Sequence, residues 1–179
     1  IYLPQQGPIL VINPAASKPE RSWPVERYIE VLQQAREKWQ VQIVITGGPG
    51  EFDKQLAEQI MQVVPAINLA GKTKPKQLLA LISKATVVLC PDTGPSHMST
   101  AVNTPVIALH AVTNPLISGP YLFQHLVVNR YPEAAQKILG SESIEEVWGQ
   151  HVHGDESMKL ISVDEVMTKL SEVFAGNHS

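Results

Sequence analysis

Four short apolar runs, separated by segments with helical patterning, constrain the fold of this chain more than any other feature. They read PILVINP, VQIVIT, TVVLC and PVIALH, and they begin at residues 8, 41, 86 and 105. Their apolar residues are continuous instead of alternating, which is typical of strands that are covered on both faces. Such strands, alternating with helices, predict an α/β fold with a doubly wound parallel sheet of the Rossmann-like kind.

Helical spacing and shorter apolar segments predict the remaining elements. We expect helices at 25–39, 51–64, 74–85, 95–103 and 162–174, and two weaker strands at 66–71 and 124–129. In the last helix, Ser162 and Glu165 have the spacing of a capping box. Residues 111–161 carry several prolines and show little periodicity, so we expect loops there.

Length, charge and cysteine content limit the classes to which the chain can belong. Its 179 residues fit one domain, which we place over residues 1–179. The net charge of -3 and the lack of a Lys/Arg run argue against a nucleic-acid partner. The single cysteine, Cys90, fits a reducing compartment, and no apolar run reaches the ~18 residues that span a bilayer. Because the chain begins with Ile1 instead of Met, we expect that it was cut from a longer protein.

The ends of the first and fourth strands are the most polar strand ends in the chain. The first strand runs into NPAAS (13–17) and the fourth into PDTGPSH (91–97). In the common strand order 3-2-1-4-5-6, ligands bind at the carboxyl ends of these two strands, where the strand order reverses. We therefore expect the functional site in the crevice between them.

The residues after the fourth strand suit an anion and hydroxyl groups. Gly94 lets a ligand approach the backbone closely, and Thr93 and Ser96 offer hydroxyl groups. From Gly94 onward the backbone opens a helix, and N–H groups at a helix N-terminus favour an anion. Asp92 is an acceptor, so it suits sugar hydroxyls better than a phosphate.

The residues after the first strand complement this arrangement. Ser17 brings a hydroxyl group, and Lys18 and Arg21 bring cationic donors. Together the two loops predict a nucleotide-sugar ligand, with its diphosphate at the helix start and its sugar on Asp92. A plain helix cap by Asp92 or Thr93 stays open as an alternative, because both residue types cap helices often.

Other catalytic motifs fit the run DTGPSH (92–97) less well. An aspartic protease needs an all-β setting and a second Asp-Thr-Gly, and the chain has one. A nucleophile elbow needs glycine at the position that Met98 occupies. The segment HVHGDE (151–156) holds residue types that bind metals, but His-x-His with nearby acids is a weak signal, so we expect no metal there.

Four longer segments carry a resemblance to a known family. They begin at Asn13, Ile43, Ile67 and Cys90, and read NPAASKPERSWPVERYIEVL, IVITGGPGEFDKQLAEQI, INLAGKTKPKQLLALISKA and CPDTGPSHMSTAVNTPVIALHAVTNP. In this order they resemble the ADP-heptose:lipopolysaccharide heptosyltransferase family, whose members have the two-domain GT-B fold. The similarity covers about residues 8–130, with a weaker match in the final helix, and corresponds to the C-terminal half that binds the nucleotide-sugar donor.

The resemblance implies that the N-terminal half of such an enzyme is absent from this chain. In the family, that half binds the lipid A–core acceptor and supplies the acidic base, so no catalytic residue is expected here. The implied reaction is an inverting glycosyl transfer in lipopolysaccharide core biosynthesis, and we expect the isolated domain to be inactive. Two alternatives stay open: a non-catalytic nucleotide-binding or partner-binding domain, and another GT-B-like enzyme such as a sugar-nucleotide epimerase.

The resemblance also assigns donor contacts within the run after the fourth strand. It places Asp92 at the hydroxyl groups of the donor sugar. It places Thr93, Gly94 and His97 along the diphosphate, and Ser96 belongs to the same run.

Further donor contacts are implied on the earlier loops. Ser17 matches a hydroxyl position of the first loop, and Arg21 stands where relatives often carry a phosphate-binding lysine. Glu51 follows the second strand and is expected to hold the ribose hydroxyls. Gly71 and Thr73 are expected to border the adenine.

The ligand implied by the resemblance is ADP-heptose or ADP. No cofactor and no metal site are expected, although assistance by Mg²⁺ stays open. The direct partner is the nucleotide-sugar donor, and the acceptor binds through the missing half. The implied location is cytoplasmic, at the cytoplasmic face of the inner membrane, with peripheral contact of the full-length protein.

Overall fold

Six parallel strands form one sheet in the order β3-β2-β1-β4-β5-β6. The computed structural model describes residues 7–141 and 143–176. The strands are β1 (Ile9–Ile12), β2 (Gln42–Ile45), β3 (Ile67–Asn68), β4 (Val87–Pro91), β5 (Val106–His110) and β6 (Val128–Asn129). All neighbouring strands are parallel, so the predicted fold class and strand order are confirmed.

The central strands are buried along their length, which explains their continuous apolar sequences. All residues of β1, β4 and β5 are buried, and in β2 only Gln42 is partly exposed. Burial of one Val, Leu or Ile side chain contributes about 1.5–3 kcal/mol, so these strands stabilise the sheet strongly. The register pairs Ile12 of β1 with Leu89 of β4, which places the loops after both strands side by side.

Helices flank this sheet and connect its strands. They are α1 (Val25–Trp39), α2 (Glu51–Met61), α3 (Pro75–Ile82), α4 (Gly94–Ala101), α5 (Pro115–Ser118), α6 (Tyr131–Ala134) and α7 (Val163–Gly176). Helix α1 packs against α2 and α7, whereas α3 packs against α4. Among the described residues, no helix is long and apolar enough to cross a membrane.

The ends of several helices differ from the sequence prediction by a few residues. Helix α2 ends at Met61 and α3 at Ile82, each three residues before the predicted end. Helix α4 ends at Ala101 because Asn103, which the prediction includes, adopts a left-handed backbone with φ 56°. The capping box predicted for α7 is confirmed, because Ser162 and Glu165 each accept the other's backbone N–H.

Two predicted strands are much shorter than expected. Of the segment 66–71, only Ile67–Asn68 pairs with a neighbouring strand. Of the segment 124–129, only Val128–Asn129 is strand, because Gln124–Leu126 forms a 3-10 turn. Apolar composition predicts burial in both segments but does not distinguish a strand from a tight turn.

The prediction that residues 111–161 form loops is wrong in part. Helices α5 and α6 lie there, followed by a π-helical segment at Ala135–Leu139. Pro115 and Pro132 suggest loops in the sequence, but both lie in a first helical turn, where the fixed φ of proline suits a helix. This region also contains a second buried apolar cluster, formed by Tyr131, Ala134, Ala135, Val147 and Val152.

Candidate functional site

A cavity of about 490 Å³ lies at the carboxyl ends of β1 and β4, in the predicted crevice. Its walls come from the loops after β1, β2 and β4 and from the starts of α3 and α4. This carboxyl-edge cavity has a volume typical of small-molecule sites. Among the residues that line it are Ser17, Thr73, Asp92, Thr93 and Gly94, all of which the sequence predicts as site residues.

A larger cavity of about 760 Å³ lies at the opposite, amino edge of the sheet. Pro8, Thr86 and Pro105 line it just before β1, β4 and β5, and Trp39 and Phe174 complete its apolar side. In open parallel sheets, ligands bind at the carboxyl edge, where the connecting loops and helix N-termini converge. We therefore take the smaller, carboxyl-edge cavity as the candidate site.

The Asp92 carboxylate is held from two sides at this cavity. Its Oδ2 accepts hydrogen bonds from Arg21 Nη2 at 3.1 Å and from Ser118 Oγ at 2.9 Å. The side chains of Arg21 and Asp92 are 18% and 13% exposed, so salt screens this ion pair less than a surface pair. Arg21 also donates to the main-chain oxygen of Asp92 and to Ser17 Oγ, both at 3.4 Å. The loops after β1, β4 and β5 therefore meet at Asp92.

The start of α4 has no side-chain cap. Thr93 occupies the N-cap position, but its Oγ1 donates to the Pro91 oxygen at 3.2 Å and accepts nothing from the helix. A helix N-terminus without a cap satisfies its N–H groups through water, a ligand or a tight turn. In α4, Pro95 has no N–H and the Ser96 N–H donates to the Thr93 oxygen at 3.1 Å, which leaves the Gly94 N–H at the helix start. The space beside Gly94 is open, because a Cβ built there meets nothing within 4 Å. An anion can therefore approach this backbone directly.

Ser96 and His97 lie on α4 outside the described lining of the carboxyl-edge cavity. Ser96 is completely buried, and within residues 7–141 and 143–176 its Oγ has no hydrogen-bond partner. His97 is exposed on the same helix. Their donor contacts stay predictions, as does the phosphate contact of Arg21, whose guanidinium here contacts Asp92.

Gly71 lies outside the described lining of the cavity, but its backbone contacts the β2 loop, which lines it. This glycine has a φ of +70°, and its N–H donates to the Gly47 oxygen at 3.0 Å. A Cβ at Gly71 would lie 3.2 Å from Pro49 Cα, so a larger residue would strain both the backbone and its neighbour. Gly71 thus holds the β2 and β3 loops together, and Thr73 lines the cavity two residues later.

Asp53 is an acidic residue of the cavity lining that the sequence analysis missed. Its Oδ1 accepts a hydrogen bond from the Gly48 N–H at 2.7 Å. A Cβ at Gly47 would lie 2.8 Å from the same oxygen, so glycine leaves room for the carboxylate. Glu51, which the sequence assigns to the ribose, is exposed at the start of α2 and lies outside the described lining. An aspartate in the first turn of a helix, straight after a glycine-rich turn, is the signal that could have identified Asp53.

His110 is a second residue near the site that the sequence analysis did not single out. It is buried at the end of β5, and its Nδ1 lies 3.0 Å from Thr113 Oγ1. Burial lowers the pKa of His110 below its usual value, although the Asp92 carboxylate acts in the opposite direction. The imidazole is therefore neutral at pH 7, and among the described residues its Nε2 has no hydrogen-bond partner.

Two further candidates for reactive or metal-binding chemistry are Cys90 and the segment with two histidines. Burial raises the pKa of the Cys90 thiol to about 12, so the thiol stays protonated. His153, in the segment with two histidines, contacts Glu20 with its Nδ1 2.5 Å from Oε1. In the part of the chain that the structure describes, no three His, Cys, Asp or Glu side chains are grouped as metal ligands.

The sequence matches a known enzyme family over most of its length. Residues 2–148 match glycosyltransferase family 9 (heptosyltransferase). The chain belongs to this family. It is 38% identical, over 166 residues, to the lipopolysaccharide core heptosyltransferase OpsX of Haemophilus influenzae. That alignment covers 92% of this chain and 48% of OpsX.

Solved heptosyltransferase structures share the fold of this family 9 chain. Escherichia coli ADP-heptose LPS heptosyltransferase II superposes with a TM-score of 0.74 at 23% identity, over 99% of this chain and 49% of that one. The Escherichia coli heptosyltransferase WaaC with ADP gives a TM-score of 0.71 at 17% identity, over 96% and 46%. The predicted family and GT-B-type fold are confirmed, and the chain spans about half the length of these relatives.

Proposed function

We propose that this chain binds the nucleotide-sugar donor of a heptosyltransferase that acts in lipopolysaccharide core biosynthesis. The observation that carries the proposal is the carboxyl-edge cavity, where the uncapped start of α4 lies beside the Asp92 carboxylate. A helix start favours a diphosphate, and a carboxylate accepts hydrogen bonds from sugar hydroxyls. The donor is ADP-heptose, in keeping with the family and with a relative that was solved with ADP.

In this proposal the donor lies across the cavity, with its diphosphate and sugar at the side formed by α4 and Asp92. Its diphosphate occupies the open space beside Gly94, near Thr93 and His97, where the positive end of the α4 dipole attracts it. The heptose hydroxyls reach Asp92. Ser96, buried in the first turn of α4, supports the backbone that the diphosphate approaches.

The adenosine extends in the opposite direction, toward the loops after β2 and β3. Gly71 and Thr73 border the adenine. The contact of Gly71 with the β2 loop and the place of Thr73 in the cavity lining support this placement. The ribose hydroxyls face the acidic residues at the start of α2. Asp53 lines the cavity and Glu51 lies two residues earlier on the same helix, so we assign the ribose to this pair.

Ser17 and Arg21 approach the diphosphate from the loop after β1. Arg21 contacts Asp92 through Nη2, and a guanidinium carries five N–H donors. The same side chain can therefore hold Asp92 and a phosphate oxygen together. This arrangement places one positive charge between the sugar and the leaving group.

The proposed reaction is a displacement with inversion at the anomeric carbon of heptose. An acceptor hydroxyl attacks this carbon, a new C–O bond forms, and the bond to the phosphate oxygen breaks. ADP leaves with the electron pair, and the hydroxyl proton passes to an acidic base that lies outside this chain. The α4 start and Arg21 stabilise the charge that develops on ADP. Repeating the ADP binding measurement with added Mg²⁺ shows whether the ion contributes.

We place the acceptor-binding half in a segment of the protein outside these 179 residues. The coverage of 48% of OpsX and 49% of heptosyltransferase II supports this placement. This chain alone therefore binds the donor and transfers no sugar. The full-length protein works in the cytoplasm, at the cytoplasmic face of the inner membrane, where it binds a lipid A–core acceptor.

Calorimetry with ADP and ADP-heptose on the Asp92→Ala chain tests the donor site. The unaltered chain should bind both ligands. A hydrogen bond to a charged group contributes about 1.5–3 kcal/mol, so the substitution should weaken ADP-heptose about 10- to 100-fold. ADP carries no heptose, so its affinity should change less than about threefold by the same reasoning.

The matched control is Asp155→Ala, which removes an exposed carboxylate outside the cavity lining. It should leave both affinities unchanged. Equal losses for ADP and ADP-heptose in Asp92→Ala would contradict the role of Asp92. Failure of the unaltered chain to bind either ligand would contradict the donor site itself.

A further inference from the structure

Ser118 contacts the Asp92 carboxylate from the region after β5 that the sequence predicts as loop. Its Oγ donates to Asp92 Oδ2 at 2.9 Å, whereas its other acceptor, the Asn114 oxygen, is 3.5 Å away. Arg21 Nη2 donates to the same Oδ2 at 3.1 Å. Within the described ranges 7–141 and 143–176, no donor reaches Asp92 Oδ1, so the carboxylate is held through one oxygen only.

The turn that carries Ser118 is fixed by its own hydrogen bonds. Asn114 Oδ1 accepts from the Leu116 N–H at 3.0 Å and caps α5. At the other end, the Gly119 N–H and Gln124 Nε2 both donate to the Pro115 oxygen at 2.9 Å. The position of Ser118 is therefore set by the fold around it and not by Asp92.

Ser118 differs from Arg21 in what a bound diphosphate does to it. A bound diphosphate shares the Arg21 guanidinium with Asp92, because both are anions that accept its N–H groups. Ser118 is not among the described residues that line the cavity, so its hydroxyl is not placed to meet the diphosphate and stays on Asp92 Oδ2. The Ser118 hydrogen bond therefore keeps the carboxylate in place when the donor is bound.

We propose that Ser118 is a positioning residue that orients Asp92, so that Oδ1 accepts hydrogen bonds from the donor sugar. This inference rests on the proposed donor site and adds a determinant of sugar recognition to it. Ser118 thereby contributes to the preference for the sugar-bearing nucleotide over ADP. Its hydroxyl touches neither the reacting carbon nor the phosphates.

The test is calorimetry with ADP-heptose and with ADP on Ser118→Ala and Ser118→Thr chains. Loss of one neutral hydrogen bond is expected to weaken ADP-heptose about 3- to 10-fold in Ser118→Ala, while ADP changes less than about twofold. Ser118→Thr keeps the hydroxyl and should restore ADP-heptose binding. The matched control is Ser83→Ala, whose hydroxyl donates to the Ala80 oxygen in the preceding turn and to no other acceptor among the described residues; it should change neither affinity.

A double substitution separates positioning from a general structural role. In an Asp92→Ala background, Ser118→Ala should have no further effect on ADP-heptose, because the carboxylate that it orients is gone. An equal effect of Ser118→Ala in both backgrounds, or equal losses for ADP and ADP-heptose, would overturn the inference. If Asp92→Ala discriminates between the two ligands but Ser118→Ala does not, only this inference fails. If Asp92→Ala does not discriminate, the proposed sugar contact fails first.

Discussion

The two cavities at opposite edges of the sheet differ in the groups around them more than in size. The amino-edge cavity of about 760 Å³ is bordered by the stacked rings of Trp39 and Phe174, 4.5 Å apart. The carboxyl-edge cavity of about 490 Å³ is bordered by Asp53, Asp92 and the open backbone at Gly94. Cavity volume therefore does not identify the ligand site. The backbone groups that face each cavity, N–H or carbonyl, identify it better.

The direction of these groups follows from the parallel topology. Helix α4 begins at the carboxyl-edge cavity, so its N–H groups and positive dipole end face this space. Helix α1 ends at Trp39, and α7 carries Phe174 in its last turn, so both present carbonyl groups toward the amino edge. A diphosphate is attracted by the first arrangement and repelled by the second.

Gly94→Val has the largest effect that we expect on this comparison. A Cβ at Gly94 meets nothing within 4 Å, so the fold should tolerate the substitution while the side chain fills the space proposed for the diphosphate. Loss of one hydrogen bond to a charged phosphate should weaken ADP about tenfold or more in calorimetry. Gly94→Ala should lie between Gly94→Val and the unaltered chain.

The control for that series is Gly149→Val, at another glycine where an added Cβ meets nothing within 4 Å. It should leave the ADP affinity unchanged. Full ADP affinity in Gly94→Val, with an unaltered melting temperature in both variants, would show that the diphosphate does not approach α4 at this residue.

His110 gives a smaller effect, which depends on pH. Burial lowers its pKa from 6.5 in the folded chain, so the unfolded chain binds the proton more tightly. Its contribution to stability is complete above about pH 6.5 and is lost as the pH falls toward the lower, folded pKa. We expect a loss of at most about 1.4 kcal/mol per pH unit in urea unfolding.

The comparison chain for this measurement is His110→Gln, which cannot titrate there. Its free energy of unfolding should depend less steeply on pH between 6.5 and the folded pKa of His110. Parallel pH profiles for the two chains would contradict the buried, neutral state of His110.

The sequence predicts the sheet well but predicts residues 111–161 poorly, and the difference has a physical reason. The strands β1, β2, β4 and β5 are covered on both faces, so their continuous apolar runs are distinctive. In residues 111–161 the helices are short and have proline in their first turn. In a sequence, such a proline suggests a loop unless the helical turn that follows it is known.

The same limit applies to the site. Asp92, Thr93 and Gly94 follow a strand directly, so strand order alone places them at the crevice. Ser118 reaches Asp92 from 26 residues away, and although Asn114 and Pro115 mark a helix start, the sequence does not show where that turn meets Asp92. For Asp53 the sequence holds a signal, its place in the first helical turn after a glycine-rich turn, but the contacts with Gly47 and Gly48 appear only in the folded backbone.

Amide NMR of the chain during an ADP titration tests the central claim most directly, because it reports both edges of the sheet at once. We predict the largest shifts at Gly48 and Gly94, which line the carboxyl-edge cavity, and no shift at Gln40 and Thr86, which line the amino-edge cavity. Shifts confined to Gln40 and Thr86 would contradict the account, because they would place the nucleotide at the edge where the helix ends repel it.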